Sequence, residues 1–222
     1  MEKICPLCNS GDIEIFTANL RERDYYKCNH CYLVFMDAKF HLDLSQQKLR
    51  YDLHENTILN QGYVSFLKKC INPSLPYLQK LKNQKEVRGL DYGSGPNPTL
   101  SKILSELDYQ VDDYDPIYQK NLRFQKYDFI YSTEVWEHFR EPAHDIQKVK
   151  NLLKPEGILS VMTYTWDETI DFTSWHYAKD ETHTSFFHKK TFNKVQELFQ
   201  FKLLENPLSS VWIFENQTES FT

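Results

Sequence analysis

The sequence predicts an α/β fold built on a doubly wound, mostly parallel sheet, with a small cysteine-rich module in front of it. Two observations carry this. From Val87 onward, short apolar runs alternate with stretches of helical periodicity, the pattern of strands joined by crossover helices. Ahead of them, Cys5-x-x-Cys8 and Cys28-x-x-Cys31 form two knuckles with 19 residues between them. At 222 residues the chain has room for one domain and a small appendage.

The knuckles come first. Two thiolates on each of two tight turns close a tetrahedral shell around zinc, with no position left for water, so the ion is expected to be structural. Disulfides would need an oxidising compartment. The start, Met1-Glu2-Lys3-Ile4-Cys5, has no apolar core of an export signal, and a cytoplasmic location is expected. Between the knuckles, Ile13, Ile15, Tyr25 and Tyr26 suit strands. Residues 1–36 therefore read as a zinc ribbon, too small to fold without its metal. Its Lys3, Arg21, Arg23 and Lys27 are outweighed by Glu2, Asp12, Glu14, Glu22 and Asp24, and the whole chain has a net charge of -5. That lacks the basic footprint of a nucleic-acid binder. No uncharged apolar run reaches the roughly 18 residues of a membrane span, so no membrane partner is expected.

Residues 37–83 read as a polar linker followed by helices. The spacing predicts a helix over 62–69, a break at Pro73 and Pro76, and a second short helix over 77–83. Cys70 reads as a buried small hydrophobe. The α/β part, residues 84–222, opens with a strand over 87–92 and a Gly/Pro-rich turn over 93–98. Leu100, Ile103, Leu104 and Leu107 then fall at i, i+3, i+4 and i+7, one face of a helix. Strands follow over 109–114 and 127–131. Pro142 starts a helix at its favoured first position, and Pro155 and Gly157 end it. A buried strand is expected over 158–162, a helix over 189–200, and two strands over 201–205 and 211–215.

A strand, a glycine turn and a helix in sequence make a ligand site at the strand's C-terminal end. Asp91, Gly93 and Gly95 lie there. Asp115 stands 20 residues after Gly95, at the end of the next strand, where an acid accepts from ribose hydroxyls. The dinucleotide fingerprint needs Gly or Ala at its sixth position, which here is Pro98. The pattern acid-x-Gly-x-Gly-x-Gly is closer: Asp91, Gly93, Gly95, then Asn97, which stands in for the last glycine through its tolerance of positive φ.

Several segments together resemble the class I S-adenosylmethionine (SAM)-dependent methyltransferases, whose sheet is Rossmann-like. They are Gly89-Leu90-Asp91-Tyr92-Gly93-Ser94-Gly95-Pro96, Tyr114-Asp115-Pro116 and Tyr127-Asp128-Phe129-Ile130. Residues 133–142, with Thr133-Glu134-Val135-Trp136-Glu137-His138, and the run Leu152-Leu153-Lys154-Pro155-Glu156-Gly157 resemble the branch of the ubiquinone-biosynthesis O-methyltransferases. Tyr51-x-x-His54-x-Asn56, Gly62-Tyr63 and Trp175-His176-Tyr177-x-x-Asp180-x-Thr182-His183 are similar to a bacterial subgroup with an N-terminal zinc ribbon. The resemblance spans residues 1–200. It implies that Gly93 and Gly95 pass under the methionine part of SAM, that Asp115 holds the ribose, and that Thr133 and Glu134 border the methionine. It further implies that His54 and Tyr63 cover the SAM pocket and that Glu137 and His138 face the substrate.

One departure stands out. Only 11 residues, 116–126, separate Asp115 from the next strand. A crossover helix plus a strand does not fit in that length. The third strand of the fold, an edge strand, is therefore expected to be missing, and with it the acid that reads adenine. For the chemistry, methyl transfer needs alignment and, for a hydroxyl acceptor, a base. The candidates are His138 and Glu137 after the fourth strand, and His176 and His183 in the long loop over the strand ends. A metal set of His176, Asp180 and His183 is the weaker reading of that loop. The function expected is methyl transfer to a small molecule, at oxygen or at carbon of a sugar-like acceptor. The competing reading is a non-catalytic protein whose ribbon engages a protein partner.

Overall fold

The computed structural model describes residues 3–53, 56–123 and 125–217. The chain opens with three strands, β1 (Ile13–Leu20), β2 (Arg23–Cys28) and β3 (Val34–Met36), and two helices, α1 (Leu44–Tyr51) and α2 (Gln61–Lys82). The α/β part follows as β4 (Arg88–Tyr92), α3 (Thr99–Ser105), β5 (Gln110–Tyr114), β6 (Tyr127–Thr133), α4 (Pro142–Leu152) and β7 (Leu153–Met162). It ends with α5 (His176–Lys179), β8 (Ser185–Phe186), α6 (Lys189–Phe199), β9 (Phe201–Leu208) and β10 (Val211–Asn216).

The larger sheet has the order β5-β4-β6-β7-β10-β9. Strands β5, β4, β6 and β7 are parallel, and β10 runs antiparallel to both of its neighbours. The order reverses between β4 and β6, which opens the crevice in which such sheets bind ligands. Strand β5 is the sheet edge. Residues 116–123 leave it through a turn closed by an Asp115–Gln119 bridge and form no strand of their own. The shortened edge expected from the sequence is thus observed. At the opposite end of β6, the buried Asp128 accepts from the Arg88 backbone N–H at 3.0 Å and from Lys154 at 2.9 Å. It belongs to the frame and not to the crevice.

The sheet is covered on both faces. One apolar cluster joins α2 and α3 to the strands through Leu67, Ile71, Leu100, Leu104, Phe129 and Ile213. The other joins α4 and α6 to the knuckle residues, so Cys5, Leu7, Leu33 and Phe35 share a core with Trp136, Ile146 and Phe192. The smaller sheet, β1-β2-β3-β8, takes its last strand from beyond β7: Val34 pairs with Phe186 and Phe35 with Ser185. No sequence period announces that two-residue strand.

Helix α2 corrects one expectation. Pro73 and Pro76 do not break it, and it runs unbroken for 22 residues. Each interior proline costs about 3 kcal/mol. Against that, Val64, Leu67, Ile71 and Leu78 are buried on one face, at about 1.5–3 kcal/mol each. The two carbonyls that lose a donor, those of Lys69 and Asn72, belong to exposed residues and are left to water. Replacing the exposed proline, Pro76→Ala, restores the bond to the Asn72 carbonyl. It is expected to raise unfolding stability by about 1–2 kcal/mol after the gain in unfolded-chain freedom is subtracted. Urea denaturation measures it, and a loss of stability would show that the proline suits its local backbone.

Candidate active site

The turn after β4 is shaped by two glycines in left-handed conformations, Gly93 at φ +92° and Gly95 at φ +65°. A Cβ on Gly93 would lie 2.2 Å from Val135 Cγ2, whereas one on Gly95 would meet nothing within 4 Å. The Gly93 and Ser94 N–H groups both donate to the Tyr114 carbonyl, at 2.7 and 3.1 Å. The Gly95 N–H donates to Asp115 Oδ2 at 3.1 Å. These amides are spent on β5 and its acid, so the turn presents no nest for a phosphate. Open space stands over Gly95 instead.

Asn97 departs from expectation. It is not among the residues with positive φ. Pro98 follows it, and the ring of a proline drives the preceding residue toward extended backbone. Its carbonyl accepts from the Thr99 N–H at 2.7 Å, at the start of α3. Asp115 also does more than expected. Its Oδ1 accepts from the Ile117 and Tyr118 N–H groups at 2.8 and 3.0 Å, so three of its roughly four lone-pair positions hold the loop together.

Two acids beside this turn each hold one buried carboxylate oxygen without a hydrogen-bond partner. Asp91 is 2% exposed, and its Oδ1 has no hydrogen bond. Burial, with the charges of Asp113 and Asp115, pushes its carboxyl well above the ordinary range. Glu134 follows Thr133, the half-buried last residue of β6, in a left-handed conformation at φ +55°. Its N–H donates to the Met162 carbonyl at 2.7 Å, and its Oε1 is buried without a partner. Burial and the neighbouring Glu137 raise its carboxyl as well. Tyr63, in the first turn of α2, feels both Asp91 and Glu134. Burial first, then those two charges, hold its phenol protonated above its usual range.

The next residues form a second cluster. Glu137 is fully buried; its Oε2 accepts from Thr163 Oγ1 at 2.8 Å, while its Oε1 has no partner. Its neighbour His138 is half-buried, with Nδ1 3.1 Å from the Thr182 carbonyl and 3.2 Å from the Tyr51 hydroxyl. His183 stacks edge-on against it at 4.8 Å between ring centres. Burial and the facing His138 depress the His183 imidazole to about 3, so it is neutral. His176 is not part of this cluster: it is exposed and touches the rings of Tyr164 and Trp175. Asp180 is bound to Arg50 at 3.2 Å and to the Thr182 hydroxyl at 2.7 Å. The set of His176, Asp180 and His183 is therefore not assembled. His54 lies outside the described residues.

The four knuckle cysteines meet as their spacing predicts. Cys5 Sγ is 3.6 Å from Cys31 Sγ, and Cys8 Sγ is 3.6 Å from Cys28 Sγ, with all four sulfurs within 4.8 Å. Zn–S bonds of about 2.3 Å in a tetrahedron hold sulfurs about 3.8 Å apart, so the donor set fits zinc.

The family model described as a methyltransferase domain matches residues 63–206. The chain belongs to that family. No curated protein matches it in sequence. Among solved structures, the methyltransferase domain is similar to magnesium protoporphyrin IX methyltransferase from Synechocystis PCC 6803 with bound SAH, at 15% identity and a TM-score of 0.48, covering 79% of this chain and 87% of that one. It is also similar to an O-methyltransferase family protein from Burkholderia thailandensis, at 14% identity and a TM-score of 0.44, covering 79% and 64%. A SAM-dependent methyltransferase from Methanosarcina mazei is similar at 17% identity and a TM-score of 0.43, covering 63% and 98%. The activity of the family is methyl transfer, and the residues present fit SAM: a glycine turn with open space above Gly95, and beside it one unpartnered buried oxygen on each of Asp91 and Glu134.

Sequence reasoning did not single out Thr163 or the strained backbone of Glu134. Thr163 is an ordinary residue one position past a strand, and only the left-handed φ of a non-glycine residue marks Glu134. Because Asp91 keeps its proton to a higher pH when folded than when unfolded, it contributes stability at low pH that is lost as pH rises above the ordinary carboxyl range. Asp91→Asn removes that loss. Without ligand, the variant is expected to be more stable at pH 7 by about 1–3 kcal/mol and to show a flatter stability–pH curve over that range. Thermal unfolding across pH tests both, and an unchanged curve would mean that Asp91 does not titrate alone.

Proposed function

We propose that this methyltransferase moves the methyl group of SAM to an oxygen of a small-molecule acceptor. The carrying observation is the meeting, at the C-terminal ends of β4, β5 and β6, of unpartnered Asp91 and Glu134 with the Gly93–Gly95 turn and the Glu137–His138–His183 cluster. Bound SAM supplies a methyl group made electrophilic by its sulfonium. Asp91 and Glu134 hold the cationic methionine end, with Tyr63 beside them. Gly93 and Gly95 let the ligand lie close to the backbone, and Asp115 receives the ribose through its remaining lone pair and by sharing the Gly95 N–H bond. Asn97 and Thr133 shape the pocket floor. The Glu137, His138 and His183 face takes the acceptor, while His176 stands outside as a rim residue.

Tyr51, Asp52 and Asn56, ahead of α2, close over the site. Tyr118 donates to Asp52 at 2.6 Å, Thr99 donates to the Asn56 carbonyl at 3.1 Å, and Tyr51 reaches His138. Such a cover excludes water from the transfer. The four cysteines hold a structural zinc.

Titration calorimetry of zinc-loaded protein with SAM and S-adenosylhomocysteine tests the reading. Micromolar binding, about -8 kcal/mol, is expected for the wild type, with at least a tenfold loss in Asp115→Ala. A folded, zinc-loaded chain that binds neither ligand overturns it. The zinc has its own readout. Since the knuckles share a core with α4 and α6, Cys28→Ser is expected to lower the melting temperature of the whole chain in one transition. Two separate calorimetric transitions would show that the ribbon unfolds alone.

A further inference from the structure

Glu137, His138 and His183 place a carboxylate oxygen and two imidazole nitrogens within 4.8 Å of one another. We propose that these three residues bind a divalent first-row transition-metal ion, separate from the four-cysteine site.

The hydrogen bonds around the cluster leave one possible ligand atom free on each residue. The Tyr177 carbonyl lies 2.8 Å from His183 Nδ1. A carbonyl only accepts, so Nδ1 carries the proton and the Nε2 lone pair is available. The Thr182 carbonyl fixes His138 in the same tautomer, at 3.1 Å from Nδ1. Thr163 occupies Glu137 Oε2 and leaves Oε1 buried and unpartnered. Imidazoles that donate their other N–H to backbone carbonyls, with a hydrogen-bonded carboxylate beside them, are the outer arrangement that orients metal ligands. A buried carboxylate oxygen without a partner is costly, and an ion would satisfy it.

Three ligands of the type N, N, O suit zinc, iron(II) or cobalt(II) and leave coordination positions open. Bonds of about 2.0–2.1 Å hold such ligands roughly 3.3 Å apart. The ligand atoms therefore have to draw together by up to about 1.5 Å when the ion binds. The inference deepens the methyltransferase reading, and rests on it only for the role of the ion, which is to bind and polarise an acceptor oxygen.

The test is a titration of zinc-loaded wild-type protein with cobalt(II), followed by absorption spectroscopy and metal analysis. One further equivalent per chain is expected, with ligand-field bands but no thiolate charge-transfer band. Glu137→Gln keeps the side chain's size and is expected to weaken that equivalent more than about 100-fold, as is His183→Ala. Absence of a second equivalent in the wild type overturns the inference, and so does a second equivalent unaffected in the folded Glu137→Gln variant. SAM binding without the second ion leaves the methyltransferase reading standing and removes only this one. A second ion without SAM binding does the reverse.

Discussion

Only a hydrogen fits on the α-carbon of Gly93 against Val135. That contact joins the turn after β4 to the segment after β6 across the place where strand order reverses. It brings the two sequence motifs to one spot, so that Asp91, at the end of β4, and Glu134, beyond the end of β6, both act on Tyr63. A side chain at position 93 would force the two segments apart. The left-handed backbone at Glu134 belongs to the same constraint. The chain turns back immediately after β6, where the Glu134 N–H donates to the Met162 carbonyl at the end of β7.

Most strands and helices of the α/β part were legible because each has one dominant environment, but α4 gives way to β7 at Leu153, so Pro155 and Gly157, expected to end the helix, lie inside the strand. β4, β6 and the 157–162 part of β7 are almost wholly buried, and α3, α4 and α6 carry apolar faces at helical spacing. Features decided by two competing effects were not. Proline punctuation lost to burial in α2. The tolerance of Asn97 for positive φ lost to the proline that follows it. The histidines illustrate a further limit: His176 and His183 sit in one motif, seven residues apart, and nothing local distinguishes them. Their difference arises from Thr184, whose N–H bonds to the Glu137 carbonyl at 2.7 Å and draws His183 inward, while His176 stays at the exposed start of α5.

The buried acids express a conflict between stability and ligand binding. Removing carboxylates from water without partners costs free energy in the empty state. The same carboxylates give a cation a site in which charge is poorly screened and the interaction correspondingly strong. The glycine turn shows the complementary economy. Its amides are consumed by Tyr114 and Asp115, which rigidifies the crevice and leaves it without the anion-binding donors of a dinucleotide site. Charge selectivity is thus built twice, once by what is left unpaired and once by what is already bonded.

The position of the small sheet follows from the same geometry. The Thr184 carbonyl accepts from the Met36 N–H at 2.9 Å, and Ser185 and Phe186 pair with Phe35 and Val34. One residue, Thr184, is therefore tied through its N–H to Glu137 and through its carbonyl to β3. His183 precedes it directly. The knuckles fix the end of β2 and the approach to β3, β3 fixes β8, and β8 holds His183 against His138. A module of this size has too little core to stand alone, yet here its rigidity is transmitted through four backbone contacts to the side chains that line the acceptor face. Closing four sulfurs around one ion is, on this argument, a way of setting the distance between two histidines that are 45 residues apart in the chain.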